Sequence, residues 1–142
     1  MIKNKIAFFS EAGYHGKVPR DIPMRTDQAW VCALDATHHC IFQLEKVVDN
    51  YDIGVVIIPK ENNRKLLADK NYPLIENIRK FCDKVVIMQE GCHWDWMEDP
   101  VNTMVWFYNQ LLFCDMILCH NDADVKYYRG MTDKECFVLP TL

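Results

Sequence analysis

Short apolar runs recur along the chain, and each of them stops abruptly in polar residues. The run at residues 84–88 leads into the polar cluster 89–93, and the run at residues 116–119 leads into the polar cluster 120–124. Neither run alternates apolar with polar positions, which is typical of a strand buried on both faces of a parallel sheet. Open α/β sheets bind ligands at the carboxyl ends of their strands, so these two clusters are the first candidates for chemistry.

The same patterning predicts the other elements. Further strands are expected at residues 5–9, 39–42, 53–58 and 136–139. Helices are expected at residues 26–36, 73–82, 100–113 and 121–130, whereas the polar segment 60–71 carries no clear period. The order, roughly β-α-β-β-α-β-α-β-α-β, favours right-handed crossovers. We therefore expect a three-layer, Rossmann-like α/β domain with a mostly parallel sheet of about six strands.

The spacing of apolar residues also predicts which helix faces point inward. In the first helix the inward residues are Trp30, Ala33 and Leu34. In the helix that follows Pro100, the inward stripe comprises Val101, Met104, Val105, Tyr108, Leu111 and Leu112. At 100° per residue, Trp106 and Phe113 fall on the opposite side, where aromatic side chains usually meet another surface.

Composition narrows the class of protein. With 142 residues, half of them hydrophobic, the chain is long enough for a single domain over residues 1–142 and too short for two ordinary ones. Against 20 aspartates and glutamates there are 16 lysines and arginines, and the net charge of −4 weighs against non-specific nucleic-acid binding. No apolar run approaches the length of a membrane span, and we expect residues 1–5 to lead directly into the first strand rather than into the apolar segment of a signal peptide. We expect a cytoplasmic protein that does not bind membranes.

Seven cysteines occur without a C-x-x-C motif, mostly inside apolar segments. This usage indicates free, buried thiols in a reducing compartment. Three of the cysteines stand beside histidines, at His39-Cys40, Cys92-His93 and Cys119-His120. Neighbouring side chains on an extended chain point oppositely, so each pair supplies one zinc ligand at best, and we expect no metal site.

A glycine-bearing loop follows the first strand. It reads Gly13-Tyr14-His15-Gly16-Lys17 and has neither the G-x-G-x-x-G order of a dinucleotide fingerprint nor the order of a P-loop. Its glycines allow backbone N–H groups to approach a ligand closely. With Lys17 and Arg20, the segment is interpreted as a mobile loop that contacts an acceptor substrate.

Three segments together resemble a known family. They are residues 5–13 (KIAFFSEAG), residues 117–124 (ILCHNDAD) followed by Tyr127, Tyr128 and Gly130, and residues 138–140 (VLP). This pattern resembles the N-terminal half of a GT-B glycosyltransferase and is most similar to forms associated with bacteriophages. The resemblance covers essentially the whole chain.

The resemblance implies a division of labour between two domains. In GT-B enzymes the acceptor lies mostly against the first Rossmann-like domain, and the second domain mainly holds the nucleotide-sugar. We therefore expect an acceptor-side half that transfers sugar from a nucleotide-sugar to a hydroxyl when a second domain completes it. No cofactor is expected beyond the donor substrate, and DNA remains open as an acceptor. A solitary half exposes its partner-facing surface, so either a homodimer or a separate C-terminal domain is expected to cover it.

Within that resemblance, Glu90 is the first choice for a general base, because a buried carboxylate at a strand end can take a proton from a hydroxyl. The alternative is that Glu90 caps a turn or pairs with a basic neighbour. His93 and His120 are expected either to act as bases or to hold a phosphate or a sugar hydroxyl. The alternative for both histidines is a structural hydrogen bond.

Tryptophans 94 and 96 flank Asp95 and are suited either to stacking on a base or sugar ring or to covering the core. The residues expected to bind substrate are Glu11, Gly13, Tyr14, His15, Lys17, Arg20, Trp94, Asp95, Asn121 and Asp122. Asn121 is expected to cap a helix as well. The alternative function is a non-catalytic, Rossmann-like module that binds a nucleotide or glycan or docks another protein.

Overall fold

The computed structural model describes residues 5–89 and 98–139. The strands are β1 (Ile6–Ser10), β2 (Thr37–Cys40), β3 (Tyr51–Ile57), β4 (Cys82–Met88), β5 (Met116–Cys119) and β6 (Glu135–Val138). The α-helices are α1 (Thr26–Ala33), α2 (Glu61–Asp69), α3 (Leu74–Ile78), α4 (Val101–Phe113) and α5 (Asp122–Met131). A 3₁₀ helix, Ile41–Lys46, follows β2 directly.

The strands of the described ranges form one sheet in the order β2-β1-β3-β4-β5-β6. Every pairing in it is parallel, with Phe8 opposite both His38 on β2 and Val55 on β3. The expected α/β domain with a parallel sheet of about six strands is therefore confirmed. The strand order reverses its direction of growth at β1, because β2 lies on one side of β1 and all later strands lie on the other.

Helices cover both faces of the sheet, which makes three layers. Side chains alternate along a strand, so Phe8 and Phe9 face opposite layers. Phe8 packs with Val31 of α1. Phe9 belongs to the larger core, to which α2, α3, α4 and α5 contribute. Both phenylalanines are fully buried, as expected for a strand covered on two sides.

The polar segment 60–71, for which no period was evident, contains α2. Its sequence is strongly polar, yet Arg64 is buried and its Nη2 lies 2.6 Å from Oδ2 of Asp99, just before α4. This buried ion pair holds α2 against the start of α4, a tertiary contact that hydrophobic periodicity does not report. The helix expected from Pro73 is short, because the chain enters β4 at Cys82.

The predicted inward face of α4 is largely wrong. Its buried residues are Thr103, Trp106, Phe107, Gln110 and Leu111. Four residues of the predicted stripe are exposed instead, namely Val101, Val105, Tyr108 and Leu112. Phe113 is exposed as predicted.

Polar contacts explain the orientation of α4. The Nε1–H of Trp106 donates to the Tyr72 carbonyl at 2.8 Å, and the Gln110 amide oxygen accepts from the backbone N–H of Ile75 at 3.2 Å. These two bonds satisfy a backbone group just before α3 and one in its first turn, and thereby select the inward face. The inward face of α1 also differs from the prediction. Val31 is buried and Trp30 is half-buried, whereas Ala33 and Leu34, which were expected inside, are exposed.

Within the described ranges, no helix has the length and apolar character needed to cross a membrane.

Candidate functional site

A crevice opens at the carboxyl end of the sheet between β1 and β3. This is the point where the strand order changes direction, and the connections that leave the two neighbouring strands diverge there. The cavity has a volume of about 170 Å³. Its lining residues come from the loop after β1, the start of α1 and the loop after β3, and are Ser10, Glu11, Ala12, Arg25, Asp27, Gln28, Ile57, Ile58, Pro59 and Lys60.

Glu11 ties two walls of the crevice together. Its Oε2 accepts hydrogen bonds from the backbone N–H of Lys60 and from the Asn63 side chain, both at 3.3 Å. The first wall is the loop after β1, which contains Glu11, and the second is the segment that connects β3 to α2. A carboxylate that already accepts two bonds retains lone pairs for a further donor, so Glu11 can also bind a ligand hydroxyl.

The first turn of α1 forms the third wall. The backbone N–H of Arg25 donates to the Gln28 amide oxygen at 3.0 Å, which fixes the start of the helix. Asp27, in the same turn, is only 7% exposed, and its Oδ1 has no hydrogen-bond partner among the described residues. A buried carboxylate oxygen without a donor is costly, which makes Asp27 a candidate ligand-binding group.

Ser10 ends β1 at the floor of the crevice and pairs with His38. The distance from Ser10 Oγ to His38 Nε2 is 2.7 Å, and both residues are buried. His38 Nδ1 donates to the Tyr14 carbonyl at 2.8 Å. Burial lowers the pKa of His38, against opposing effects from the Tyr14 hydrogen bond and the Asp27 charge. His38 is therefore a neutral imidazole near pH 7.

The predicted loop after β1 packs against β2 rather than extending into solvent. Gly16 forms backbone hydrogen bonds with His38 in both directions, and the imidazole Nε2–H of His15 donates to the Gln43 side chain at 2.6 Å. Tyr14 contributes its carbonyl to His38, as described above. Gly13 is exposed and does not line the crevice.

The predicted basic residues of this loop lie near the other end of α1. Lys17 Nζ is 2.9 Å from Oδ1 of Asp35, and Arg20 donates to the Cys32 carbonyl at 2.9 Å. Both residues line a separate surface cavity of about 320 Å³. The structure thus brings Glu11 into the crevice and leaves Lys17 and Arg20 outside its lining, and a substrate role for these two stays a prediction.

A second cluster of polar side chains lies at the neighbouring carboxyl ends of β4 and β5. Asn121 caps α5 as expected, with Oδ1 accepting from the Asp124 N–H at 2.8 Å, and its side-chain amide donates to Asp124 Oδ2 at 3.0 Å. Asp124 is fully buried. Gln89 accepts a hydrogen bond from the Tyr128 hydroxyl and lies 3.5 Å from Asp124 through its amide. The predicted Asp122 is exposed in the first turn of α5.

His120 follows β5 at the same edge of the sheet. Its Nδ1–H donates to the Leu139 carbonyl at 2.7 Å, which links the ends of β5 and β6. Its buried Nε2 has no partner within residues 5–89 and 98–139. This imidazole makes the structural hydrogen bond expected of it and keeps a second nitrogen for another contact.

Four predicted site residues lie outside the described residues: Glu90, His93, Trp94 and Asp95. Their assigned roles as base, phosphate or sugar ligand, and stacking group stay predictions. Among the side chains that the structure does describe, no three metal-binding groups converge.

Sequence reasoning did not assign Ser10, Asp27, His38 or Lys60 to a site. The available signal was weak, since each stands next to an element end and only the strand order brings the four together. No protein-family model, curated protein or solved structure matches this chain.

Proposed function

We propose that this chain is the acceptor-side domain of a sugar-transferring enzyme of the GT-B type. The observation that carries the proposal is the crevice between β1 and β3, where Glu11 and Asp27 lie beside Arg25 and Lys60. Carboxylates accept hydrogen bonds from sugar hydroxyls, and cationic side chains attract phosphate oxygens. A nucleotide-sugar and a hydroxyl acceptor together present both kinds of group.

Asp27 Oδ1, which has no hydrogen-bond partner within the described part of the chain, adds a specific expectation. A ligand hydroxyl that donates to Oδ1 would satisfy a buried acceptor, so binding should depend strongly on this carboxylate. Glu90 remains the proposed general base. It directly follows Gln89 at the end of β4 and lies outside the described residues. The assignments of a nucleotide-sugar donor and of a bacteriophage-type enzyme rest on the sequence resemblance.

Thermal unfolding of the whole chain with UDP-glucose, UDP or glucose tests the proposal. A ligand at ten times its Kd raises the free energy of unfolding by about 1.4 kcal/mol, which corresponds to roughly 3–6 °C in Tm for a chain of this size. We expect a shift with glucose, whose hydroxyls stand in for the acceptor, because in the GT-B arrangement a second domain mainly holds the nucleotide-sugar. The shift should vanish in Asp27→Asn and persist in Asp35→Asn, a matched change at the separate cavity beside Lys17.

Two results would reject the sugar-binding assignment. One is the absence of any shift with all three probes in a folded protein. The other is a shift that Asp27→Asn leaves unchanged, because the ligand would then bind elsewhere.

A cytoplasmic location belongs to the same proposal, since the six described cysteines are free thiols of the kind that persist in reducing compartments.

A second candidate function is that of a docking module, and the outward face of α4 favours it. Val101, Val105 and Leu112 are exposed there. Val101 and Val105 also line an apolar groove of about 310 Å³ together with Tyr127 and Met131 of α5. None of the 13 residues of α4 is charged. Two copies of this face could therefore meet without burying a charge, as a homodimer requires.

Light scattering after size exclusion distinguishes this candidate. A homodimer through α4 gives twice the mass of one chain at micromolar concentration, and the double variant Val105→Glu with Leu112→Glu gives the monomer mass. A wild-type monomer at all concentrations tested would exclude self-docking through this face.

A further inference from the structure

We propose that Ser10 is a nucleophile activated by His38, able to take up an acyl group from a small ester bound in the crevice. This activity goes beyond sugar binding and does not depend on it. Ser10 is the only serine in the chain. Three features of the structure support the assignment: the tautomer of His38, the access of Ser10 to the cavity, and the charges around it.

The hydrogen bonds of His38 fix its tautomer. A backbone carbonyl can only accept, so the contact with Tyr14 requires the proton on Nδ1. Nε2 then carries the lone pair and accepts the Ser10 hydroxyl proton across 2.7 Å. The antiparallel bridge between Gly16 and His38 holds the backbone of the histidine in place. Ser10 Oγ, the His38 imidazole and the Tyr14 carbonyl are thus arranged as nucleophile, general base and the acceptor that orients the base. Enzymes that activate a hydroxyl nucleophile use the same arrangement.

The protonation state of His38 suits a general base. Burial keeps the imidazole neutral near pH 7, so no proton has to be removed before it can act. The charge of the nearby Asp27 carboxylate raises the pKa of His38, which means that it stabilises the imidazolium once it forms. Asp27 lines the same crevice as Ser10, so the stabilising charge lies beside the reacting group.

The crevice gives a substrate a route to Ser10. The serine is only 2% exposed, yet it contributes to the lining together with Arg25 and Lys60. Both cations line the same cavity, so their positive charge favours an ester oxygen that becomes negative there. The backbone N–H of Ala12 already donates to Ser10 Oγ at 3.2 Å, which orients the hydroxyl toward the imidazole.

The step is an ordinary acyl transfer. Ser10 Oγ forms a bond to the ester carbonyl carbon while its proton moves to His38 Nε2. The tetrahedral intermediate then loses the alcohol, as the C–O bond to the leaving group breaks and that oxygen takes the proton from Nε2. Water then attacks the carbonyl carbon of the acylated Ser10 while one of its protons moves to His38 Nε2. The bond from that carbon to Ser10 Oγ breaks as Oγ takes the proton from Nε2, which releases the acid and returns both residues to their starting states.

Labelling of the full chain with a fluorophosphonate probe tests this inference. Attack by Ser10 Oγ on phosphorus expels fluoride, and the adduct is measured by intact mass and by mapping the peptide that carries residue 10. We expect one stoichiometric adduct on Ser10 and none in Ser10→Ala. In His38→Gln the rate should fall about 100-fold, the usual contribution of a general base.

The pH profile separates activation from a structural hydrogen bond. Burial and the neighbouring His15 lower the pKa of His38, while Asp27 opposes them, so the midpoint at which the labelling rate falls should lie below pH 6.5. Circular dichroism confirms that each variant is folded. The inference is overturned if folded wild-type protein gains no adduct on Ser10, or if His38→Gln, folded, is labelled as fast as the wild type.

Discussion

At the scale of single residues, neutral histidines inside the fold make stability depend on pH. His39 is buried and donates or accepts a hydrogen bond at Tyr51, 2.8 Å away. Burial, with smaller effects from His15 and His38, lowers the pKa of His39 from 6.5 to about 4. Burial lowers that of His38 as well. Below pH 6.5 the unfolded chain therefore binds protons that the folded chain does not.

We expect the free energy of unfolding to be insensitive to these histidines above pH 6.5 and to fall between pH 6.5 and about 4. The loss should reach roughly 2 kcal/mol at pH 5 by linkage, and replacing His39 by Gln should flatten the dependence. Urea titrations at pH 7.5, 6.0 and 5.0 measure it. A wild-type free energy that stays level over this range would contradict the burial of neutral imidazoles.

Two glycines offer a second prediction because their surroundings differ. An added Cβ on Gly54, in β3, would lie 2.6 Å from Cys82 Sγ and 3.3 Å from a ring carbon of Phe9. At Gly130, in α5, no atom of the described residues lies within 4 Å of the same position. We expect Gly54→Ala to destabilise the fold by about 1–3 kcal/mol through overpacking. Gly130→Ala should stabilise it by about 0.5–1 kcal/mol by raising helix propensity.

Denaturant titration of both alanine variants measures the contrast. Equal effects at the two positions would show that the packing around Gly54 is looser than the structure indicates. The pair also illustrates what sequence could tell. Gly130 was expected to end α5, but the helix continues to Met131 because an exposed glycine without positive φ need not terminate a helix.

At the scale of elements, strands were easier to predict than helix faces. β5 lies at the predicted residues 116–119, and β1 and β6 are each shifted by a single residue. A short apolar run carries this signal by itself, both in β1, which is buried on two faces, and in β6, which is partly exposed at the sheet edge. The face of α4 depends instead on Trp106 and Gln110, whose hydrogen bonds with groups beside α3 could not be known before α3 was placed.

Two adjacent leucines in α4 test the observed face directly. Leu111 is completely buried, whereas Leu112 is 48% exposed, although both were expected inside. We expect Leu111→Ala to lower the free energy of unfolding by about 2–5 kcal/mol through the cavity it leaves. Leu112→Ala should change it by no more than about 0.5 kcal/mol. Urea denaturation of the two variants measures both values, and a larger loss for Leu112→Ala would restore the sequence-based face.

At the scale of the whole molecule, the sheet order decides where the candidate site lies. The sequence pointed first to the ends of β4 and β5, where buried Asp124 and Gln89 meet, and also to Glu11 in the loop after β1. The crevice forms between β1 and β3, with Glu11 in its lining, because β2 lies on the far side of β1 and the chain returns past it to build β3. The path of that crossover is a tertiary choice, and the pattern of a single sequence does not contain it.

The buried cysteines provide a test of the single domain expected from chain length. Cys40, Cys82, Cys119 and Cys136 are buried in four different strands, from one edge of the sheet to the other, whereas Cys32 of α1 is half-buried. Alkylation requires exposure of a thiol, and in a cooperative domain buried groups become exposed together. Pulsed iodoacetamide labelling in a Cys92→Ser background, read by peptide mass, follows each site separately.

We expect Cys32 to react first and the four strand cysteines to react later at one shared rate. That rate should rise with urea in parallel for all four, because a sheet that unfolds as one unit exposes its two edges and its centre in the same event. Burial raises the pKa of Cys82 and Cys119 to about 12, so slower chemistry at these thiols has to be calibrated in fully unfolded protein. Calibrated rates that separate β2 from β6 would divide the chain into independently unfolding parts and overturn the single-domain prediction.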